Sequence, residues 1–342
     1  MEKIDFVILW VDGSDSKWLA EKKKYQPGLD VDSSIARYRD WDNLKYWFRG
    51  VEKYANWVNK VYFVTCGQIP TWLNTNNNKL VLVDHKDFIP EKYLPTFNSN
   101  AIEMNLHRIK DLSENFVLFN DDMFIVNQTK PQDFFYDDLP MDSAILRAHV
   151  ASGDVTDYII SNNMAIINKH FNSHRVMKKD FFKWYNLKYG KFLYNNIFLH
   201  PYDNFTGIRF EHLTSSFKKS TFEKIWNLEG EKLDQTCSHR FRSTSDINQW
   251  LVKSWQVCEG KFEPRNPKWG GYYCYNNDTL KNLKEFITGN KYKVICLNDA
   301  TNDEKLNFEQ AKKYTKVLFD SKFPIKSGFE LKENDNEYEN KQ

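Results

Sequence analysis

The chain opens on a continuous apolar run, Ile4 to Val11, broken by one acid, Asp5, and closed by Asp12-Gly13-Ser14-Asp15. An apolar run this short, bounded by turn residues, predicts a strand buried on both faces. Lys17 to Lys24 follows as a helix. From Arg37 to Lys53, apolar and aromatic side chains recur at helical spacing, at Trp41, Leu44, Tyr46, Trp47, Phe48 and Val51. Val58 to Thr65 predicts a second strand and Leu80 to Val83 a third, with a turn or short helix at Ile69 to Leu73 between them. Asn100 to Ile109 reads as a helix with Ser99 as its N-cap. Phe116 to Phe119 is a fourth strand, running straight into Asn120-Asp121-Asp122. Strand and helix alternate over the first 130 or so residues, which implies a largely parallel sheet with helices on its faces, an α/β fold.

Beyond residue 150 the pattern loosens. Phe217 to Trp226 and Asp246 to Cys258 predict helices, so the second half is the more helical one. Asn266 to Tyr273 predicts a turn-rich loop. Tyr292 to Leu297 is a further strand, ending at Asn298-Asp299. The polar stretch 331–342 predicts a disordered tail.

The composition supports a large core and excludes several classes. Hydrophobic residues are 41% of 342, and aromatics are 16%. Basic and acidic residues number 48 and 46, a net of +2. That balance offers no field for nucleic acid. The five cysteines form no CxxC pair, which argues for reduced, mostly buried thiols and a cytoplasmic setting. The first residues carry no signal-peptide pattern, and no apolar run is long enough to span a bilayer. Peripheral contact with the inner face of a membrane, or with neighbouring proteins, stays open, as does the oligomeric state.

In a parallel sheet, ligands gather at the carboxyl ends of strands. Both acidic clusters, Asp12/Asp15 and Asp121/Asp122, follow strands directly. Paired carboxylates there can hold Mg²⁺ or Mn²⁺, or they can simply serve polar turns. A histidine is the natural base for a hydroxyl near neutral pH, and His212 and His107 are candidates. Arg242 has Asp246 four residues on, which suits either a helix entry or a phosphate clamp.

Longer strings carry more. Ile4 to Asp15, then Arg37 to Val58, Tyr62 to Leu73, Leu94 to Glu103 and His107 to Asp122 together resemble the first two signatures of the Stealth family. Phe210-Glu211-His212 with Arg242 and Asp246 is similar to the third, and Cys296 to Asp299 with Phe323 to Glu330 to the fourth. The family comprises bacterial capsular and exopolysaccharide phosphotransferases and the catalytic subunit of the animal enzyme that starts the mannose-6-phosphate tag.

The resemblance implies one catalytic domain over 1–330 with a Rossmann-like, glycosyltransferase-A-type core. Within it, residues 1–150 would bind nucleotide sugar and metal, and 151–330 would carry acceptor and catalytic groups. It implies transfer of sugar-1-phosphate from a nucleotide sugar, commonly UDP-linked, to a glycan hydroxyl. Asp121 and Asp122, with Asp299, are then expected at a divalent metal, Mg²⁺ or Mn²⁺. Asp12, His212 and Arg242 are expected to be catalytic, with Asp12 or His239 as rivals to His212 for the base. Arg37, Asp40, Asn98, Ser99, Asn100, Glu103, Arg108 and Asp246 are expected to line the substrates. A metal-dependent glycosyltransferase that releases a nucleoside diphosphate is the main alternative, and a non-catalytic glycan-binding protein is the other.

Overall fold

The computed structural model describes residues 2–26, 40–150, 153–275, 280–299 and 307–332. Its strands, numbered along the chain, are β1 (Ile4–Leu9), β2 (Val61–Thr65), β3 (Leu80–Asp84), β4 (Asn115–Phe119), β5 (Met123–Ile125), β6 (Phe135–Tyr136), β7 (Leu139–Asp142), β8 (Ser215–Lys218), β9 (Glu263–Pro264), β10 (Gly270–Cys274) and β11 (Val294–Asn298). The main sheet has the order β3-β2-β1-β4-β8. Its first four strands run parallel, and β8 closes the edge antiparallel to β4. This is the α/β, Rossmann-like arrangement that the strand and helix alternation predicts.

Side chains alternate across a strand, so each strand of the sheet feeds two cores. Phe6, Ile8, Phe63, Val117 and Phe119 face one way, under the helices Leu44–Tyr54 and Phe308–Lys322. Val7, Tyr62, Val64, Phe116 and Leu118 face the other, against the helices Lys219–Ser238 and Gln249–Cys258. Burial on both faces is why β1 and β4 read as continuous apolar runs. The lone acid in β1 is fully buried and satisfied. Asp5 Oδ1 accepts from Asn59 Nδ2 (2.7 Å) and the Lys60 backbone N–H (3.1 Å), and Oδ2 accepts from Ser113 N–H (2.8 Å). It ties the start of β1 to the turns before β2 and β4.

A smaller sheet, β10-β11-β5, lies beside the main one. β11 runs parallel to β10 and antiparallel to β5, with Cys296 opposite Met123. β5 begins just after Asp122, so this pairing carries β11 to the end of β4. β6, β7 and β9 form a third, short sheet.

Several boundaries differ from the sequence reading. The first strand ends at Leu9 and the second begins at Val61. The helix expected from Arg37 starts at Leu44 among the described residues, and Arg37 itself lies outside them. Asn98, not Ser99, caps the next helix by accepting from Asn100 N–H, and that helix runs Ser99–Asn105 before a 3₁₀ turn at Leu106–Arg108. Phe217 belongs to β8, and the helix begins at Lys219. Asp246 precedes its helix, which Asn248 caps before Gln249. The expected loop at Asn266–Tyr273 is a 3₁₀ turn followed by β10. In the last four cases a polar side chain or a sheet partner distant in sequence decided the boundary. The tail from residue 333 lies outside the described residues.

Candidate active site

The site forms where β1, β2 and β4 end. A cleft of about 570 Å³ opens beside the ends of β1 and β2, lined by Trp10, Asp12, Asp40, Cys66, Gln68 and Trp72 among others. Gln68 fixes its floor. Its Oε1 accepts from Asp12 N–H (2.8 Å), and its Nε2 donates to Asp12 C=O (3.0 Å). Asp12 Oδ1 accepts from the Ser14 N–H and hydroxyl (2.8 and 2.6 Å), so that oxygen serves the turn. Asp15 caps the following helix through Lys17 and Trp18 N–H. Of the first acidic cluster, Asp12 therefore has one carboxylate oxygen without a hydrogen bond among the described residues, while Asp15 is a cap.

Asp122 stands at the turn between β4 and β5. Its Oδ2 meets His212 Nε2 at 3.3 Å and the Cys296 thiol at 3.2 Å, and these three residues form a compact cluster. Its Oδ1 is buried without a hydrogen-bond partner. The backbone explains the convergence: Leu297 N–H donates to Asp122 C=O (2.8 Å), which lays β11 along the turn. His212 arrives from the loop just before β8, the neighbour of β4. Cys296 is the residue that sequence reasoning missed as a contact. A buried thiol on a strand looks the same whether it faces a core or a carboxylate.

Charges couple across this group. Desolvation first, and then the charges of Asp122 and Asp40, push Asp121 up to about 7. Asp40 thus links the Asp12 cleft to the acid pair. Burial opposes the imidazolium of His212, but the charge and hydrogen bond of Asp122, backed by Glu103, outweigh it and raise its pKa. Among the described residues nothing hydrogen-bonds His212 Nδ1, so the ring is held by a carboxylate at one nitrogen, the arrangement of a histidine base. Burial, joined by the Asp122 charge, keeps the Cys296 thiol protonated, so it donates to the carboxylate. Burial also raises Glu103, against the opposing charge of Arg242 and the Gln249 N–H.

Arg242 reaches this group from the loop before the helix Gln249–Cys258. Its Nη2 donates to Ser99 Oγ at 2.7 Å. Asp246, fully buried, organises that loop. It accepts from Asn98 Nδ2 (2.9 Å), Asn100 Nδ2 (3.0 Å) and Ser243 N–H (3.0 Å), and it meets His239 Nδ1 at 2.6 Å. His239 is thus also carboxylate-held, and among the described residues its Nε2 has no hydrogen-bond partner. Asn98, Asn100 and Asp246 form the brace behind Ser99 and Arg242, and they do not line open space.

Two expected residues have side-chain partners of their own. Arg108 donates to Asn105 Oδ1 (2.9 Å) and packs over the Trp226 ring (4.8 Å). Asp299 Oδ2 accepts from Trp41 Nε1 (3.0 Å), whose ring stacks on Tyr275. His107 is buried against Phe222 and Trp226.

The donors present fit a hard divalent cation. Asp122 offers a buried, unpartnered carboxylate oxygen, and Asp121 and Asp40 add negative charge beside it. The sulfur of Cys296 would suit a softer metal, but as a hydrogen-bond donor it holds the carboxylate.

Sequence comparison gives the chain its relatives. Models of Stealth protein conserved regions 1, 2 and 4 match residues 2–30, 37–141 and 285–340. A capsular polysaccharide phosphotransferase, WcwK, of Streptococcus pneumoniae is 43% identical, covering 97% of this chain and 99% of its own. An exopolysaccharide phosphotransferase, cps2G, of Lactiplantibacillus plantarum is 43% identical over 96% of each. A receptor polysaccharide phosphotransferase, WefC, of Streptococcus oralis is 40% identical over 97% of this chain and 100% of its own. Among solved structures, the galactosyltransferase LgtC aligns at 9% identity over 92% of this chain and 96% of its own, with a TM-score of 0.38, too slight a likeness to argue from. With three signature regions matched and relatives alike from end to end, the chain belongs to the Stealth family.

Proposed function

We propose that the protein is a polysaccharide phosphotransferase that moves sugar-1-phosphate from a nucleotide sugar, UDP-linked in the first instance, to a hydroxyl of a glycan acceptor in capsular or exopolysaccharide synthesis. The observation that carries this reading is the Asp122 turn, where a carboxylate with one unpartnered buried oxygen meets His212 at the end of β4. The relatives' names point the same way. In this reading residues 1–150 serve donor and metal and 151–330 serve the acceptor, although both cores draw on both parts. The enzyme works in the cytoplasm.

Asp121 and Asp122, with Asp299 as a further candidate, would hold Mg²⁺ or Mn²⁺. Such a cation, when bound, would supply charge to offset the diphosphate and the leaving nucleotide. The residues do the rest. His212, steadied by Asp122, takes the proton from the acceptor hydroxyl at Nδ1. Its raised pKa makes it readier to keep that proton than an ordinary histidine. Asp12 and His239 are the rivals for this role. The acceptor oxygen attacks the phosphorus that bears the sugar, and the bond to the bridging oxygen breaks. The nucleoside monophosphate leaves with that electron pair. The sugar's own bond to oxygen survives, so its anomeric configuration is kept. Arg242, held by Ser99, donates to a phosphate oxygen, while Asp12 and Asp40 line the donor cleft. Catalysis is then mostly positioning and charge stabilisation.

The test is nucleotide release from a panel of nucleotide sugars, with Mg²⁺ or Mn²⁺ and a glycan acceptor. The expected product is a nucleoside monophosphate that needs acceptor and vanishes with EDTA. A diphosphate would mean simple sugar transfer and overturn the mechanism. Product formation undiminished in both Asp121→Ala and Asp122→Ala would remove the site.

A further inference from the structure

We propose that the segment Ser173–Tyr202 is a membrane-docking surface that seats the enzyme on an anionic lipid bilayer. Three short helices, Ser173–Lys179, Phe181–Trp184 and Leu193–Phe198, and the turn between the last two build it. They present large apolar side chains to solvent. Phe182 is 83% exposed, Leu187 86% and Phe198 73%, with Phe181, Tyr194 and Ile197 also exposed. So much apolar surface in 30 residues is unusual for a face that meets only water.

The exposure is held in place. Trp184, Tyr189 and Asn196 of the same segment are buried. Tyr189 Oη donates to Lys183 C=O (2.6 Å) and accepts from Ala144 N–H (3.1 Å). Asn196 Nδ2 donates to Ala144 C=O (2.7 Å) and Trp184 C=O (2.6 Å), and its Oδ1 accepts from Leu146 N–H (2.6 Å). Lys183 Nζ donates to Gly260 and Phe262 carbonyls. The segment is pinned to the body from within, so its outer apolar residues are presented by a built scaffold.

Charge selects the occupant. Between Ser173 and Tyr202 the one acid is Asp180, and one of its oxygens is buried without a partner. Arg175, Lys178, Lys179, Lys188 and Lys191 are exposed around the apolar residues. Arg175 and Lys179 also enter an adjoining cleft of about 700 Å³, where Lys224 and Lys261 are paired with Glu259 and Lys169 with Glu229. Aromatic and aliphatic tips ringed by lysine and arginine match a bilayer interface bearing negative headgroups. Among the described residues no helix is long and apolar enough to cross a membrane, so this contact is peripheral.

Flotation of the full chain with phosphatidylglycerol–phosphatidylcholine vesicles tests the idea against pure phosphatidylcholine vesicles. Binding to the anionic vesicles is expected, weakening as salt rises. Lys178→Glu with Lys179→Glu is expected to weaken it roughly tenfold or more. Phe182→Ser, Leu187→Ser and Phe198→Ser together are expected to abolish it, with the circular dichroism and melting temperature of the wild type. Nucleotide release to a water-soluble acceptor should stay unchanged in both variants, which separates this surface from the catalytic reading. Absence of binding to anionic vesicles would overturn the proposal, as would binding that both variants retain. So would a wild-type dimer that the triple variant splits without any vesicle binding, because the patch would then meet a second copy.

Discussion

Asp246→Ala removes the acceptor on which the Arg242 loop is built. Asp246 is fully buried and receives Asn98 Nδ2, Asn100 Nδ2, Ser243 N–H and His239 Nδ1. Ser243 and His239 are partly exposed and can turn to water. Asn98 and Asn100 are buried. Asn98 keeps longer contacts to the His239 and Phe241 carbonyls (3.2 and 3.3 Å), and Asn100 keeps none from that amide. An unsatisfied buried donor costs about 1–3 kcal/mol. One full and one partial loss, plus the vacated volume, come to about 3–5 kcal/mol, a large share of a domain's ordinary stability of about 5–15 kcal/mol. Urea unfolding followed by circular dichroism would show this as a lower midpoint at unchanged slope. At a temperature where the variant is still folded, kcat should also fall, because the Arg242–Ser99 contact loses its brace. Asp246→Asn, which keeps one acceptor oxygen, should lie between. A stability loss under about 1 kcal/mol for the alanine variant would refute the reasoning, since the donors would then have found other partners.

Gly50 lies inside a helix, where alanine is ordinarily favoured by about 1 kcal/mol. A Cβ there would stand 2.5 Å from the Ile125 carbonyl oxygen, so Gly50→Ala should instead lower the melting temperature, at a cost of about 1–3 kcal/mol. Burial pushes His107 down to about 3 from an ordinary 6.5, with the charges of Arg108 and Lys219 adding. The unfolded chain therefore takes up a proton that the folded one refuses, and stability falls as pH drops below 6.5. Between there and about pH 4.5 the loss is about 2–3 kcal/mol, and His107→Phe should flatten that limb of a pH–stability curve. Burial raises the Glu330 carboxyl, but two 2.7 Å hydrogen bonds from Arg49 outweigh it and hold the pKa below 4.5. That stabilisation is present above pH 4.5 and is lost as pH falls through the folded value. Arg49→Met should cost about 3–5 kcal/mol at pH 7, measured by urea unfolding, and the gap to wild type should narrow toward pH 3.

The strands were legible because parallel strands buried on both faces need unbroken apolar runs, as Phe6 to Ile8 and Phe116 to Phe119 provide. The placement of Asp12 and Asp122 at strand ends was legible too, since polar turns must follow such runs. Helix limits were less so. Phe217 fits a strand's alternation and a helix's spacing equally, and only pairing with Phe116 decides between them. The family could be read from its long strings, because they span most of the chain.

Other features were settled by tertiary structure alone. Cys296 meets Asp122 because β11 pairs with β5, residues about 170 positions apart in the chain. Asn98, Asn100 and Asp246 looked like groups for a ligand, and folding turned them toward one another to satisfy buried donors. The hydrogen bond that Asp299 accepts from the Trp41 indole joins residues 258 positions apart and left no trace in the sequence. The reason is general: local periodicity and turn chemistry act over a few residues and show in the sequence. Which polar groups face one another depends on contacts between distant segments, and those exist only once the sheets have packed.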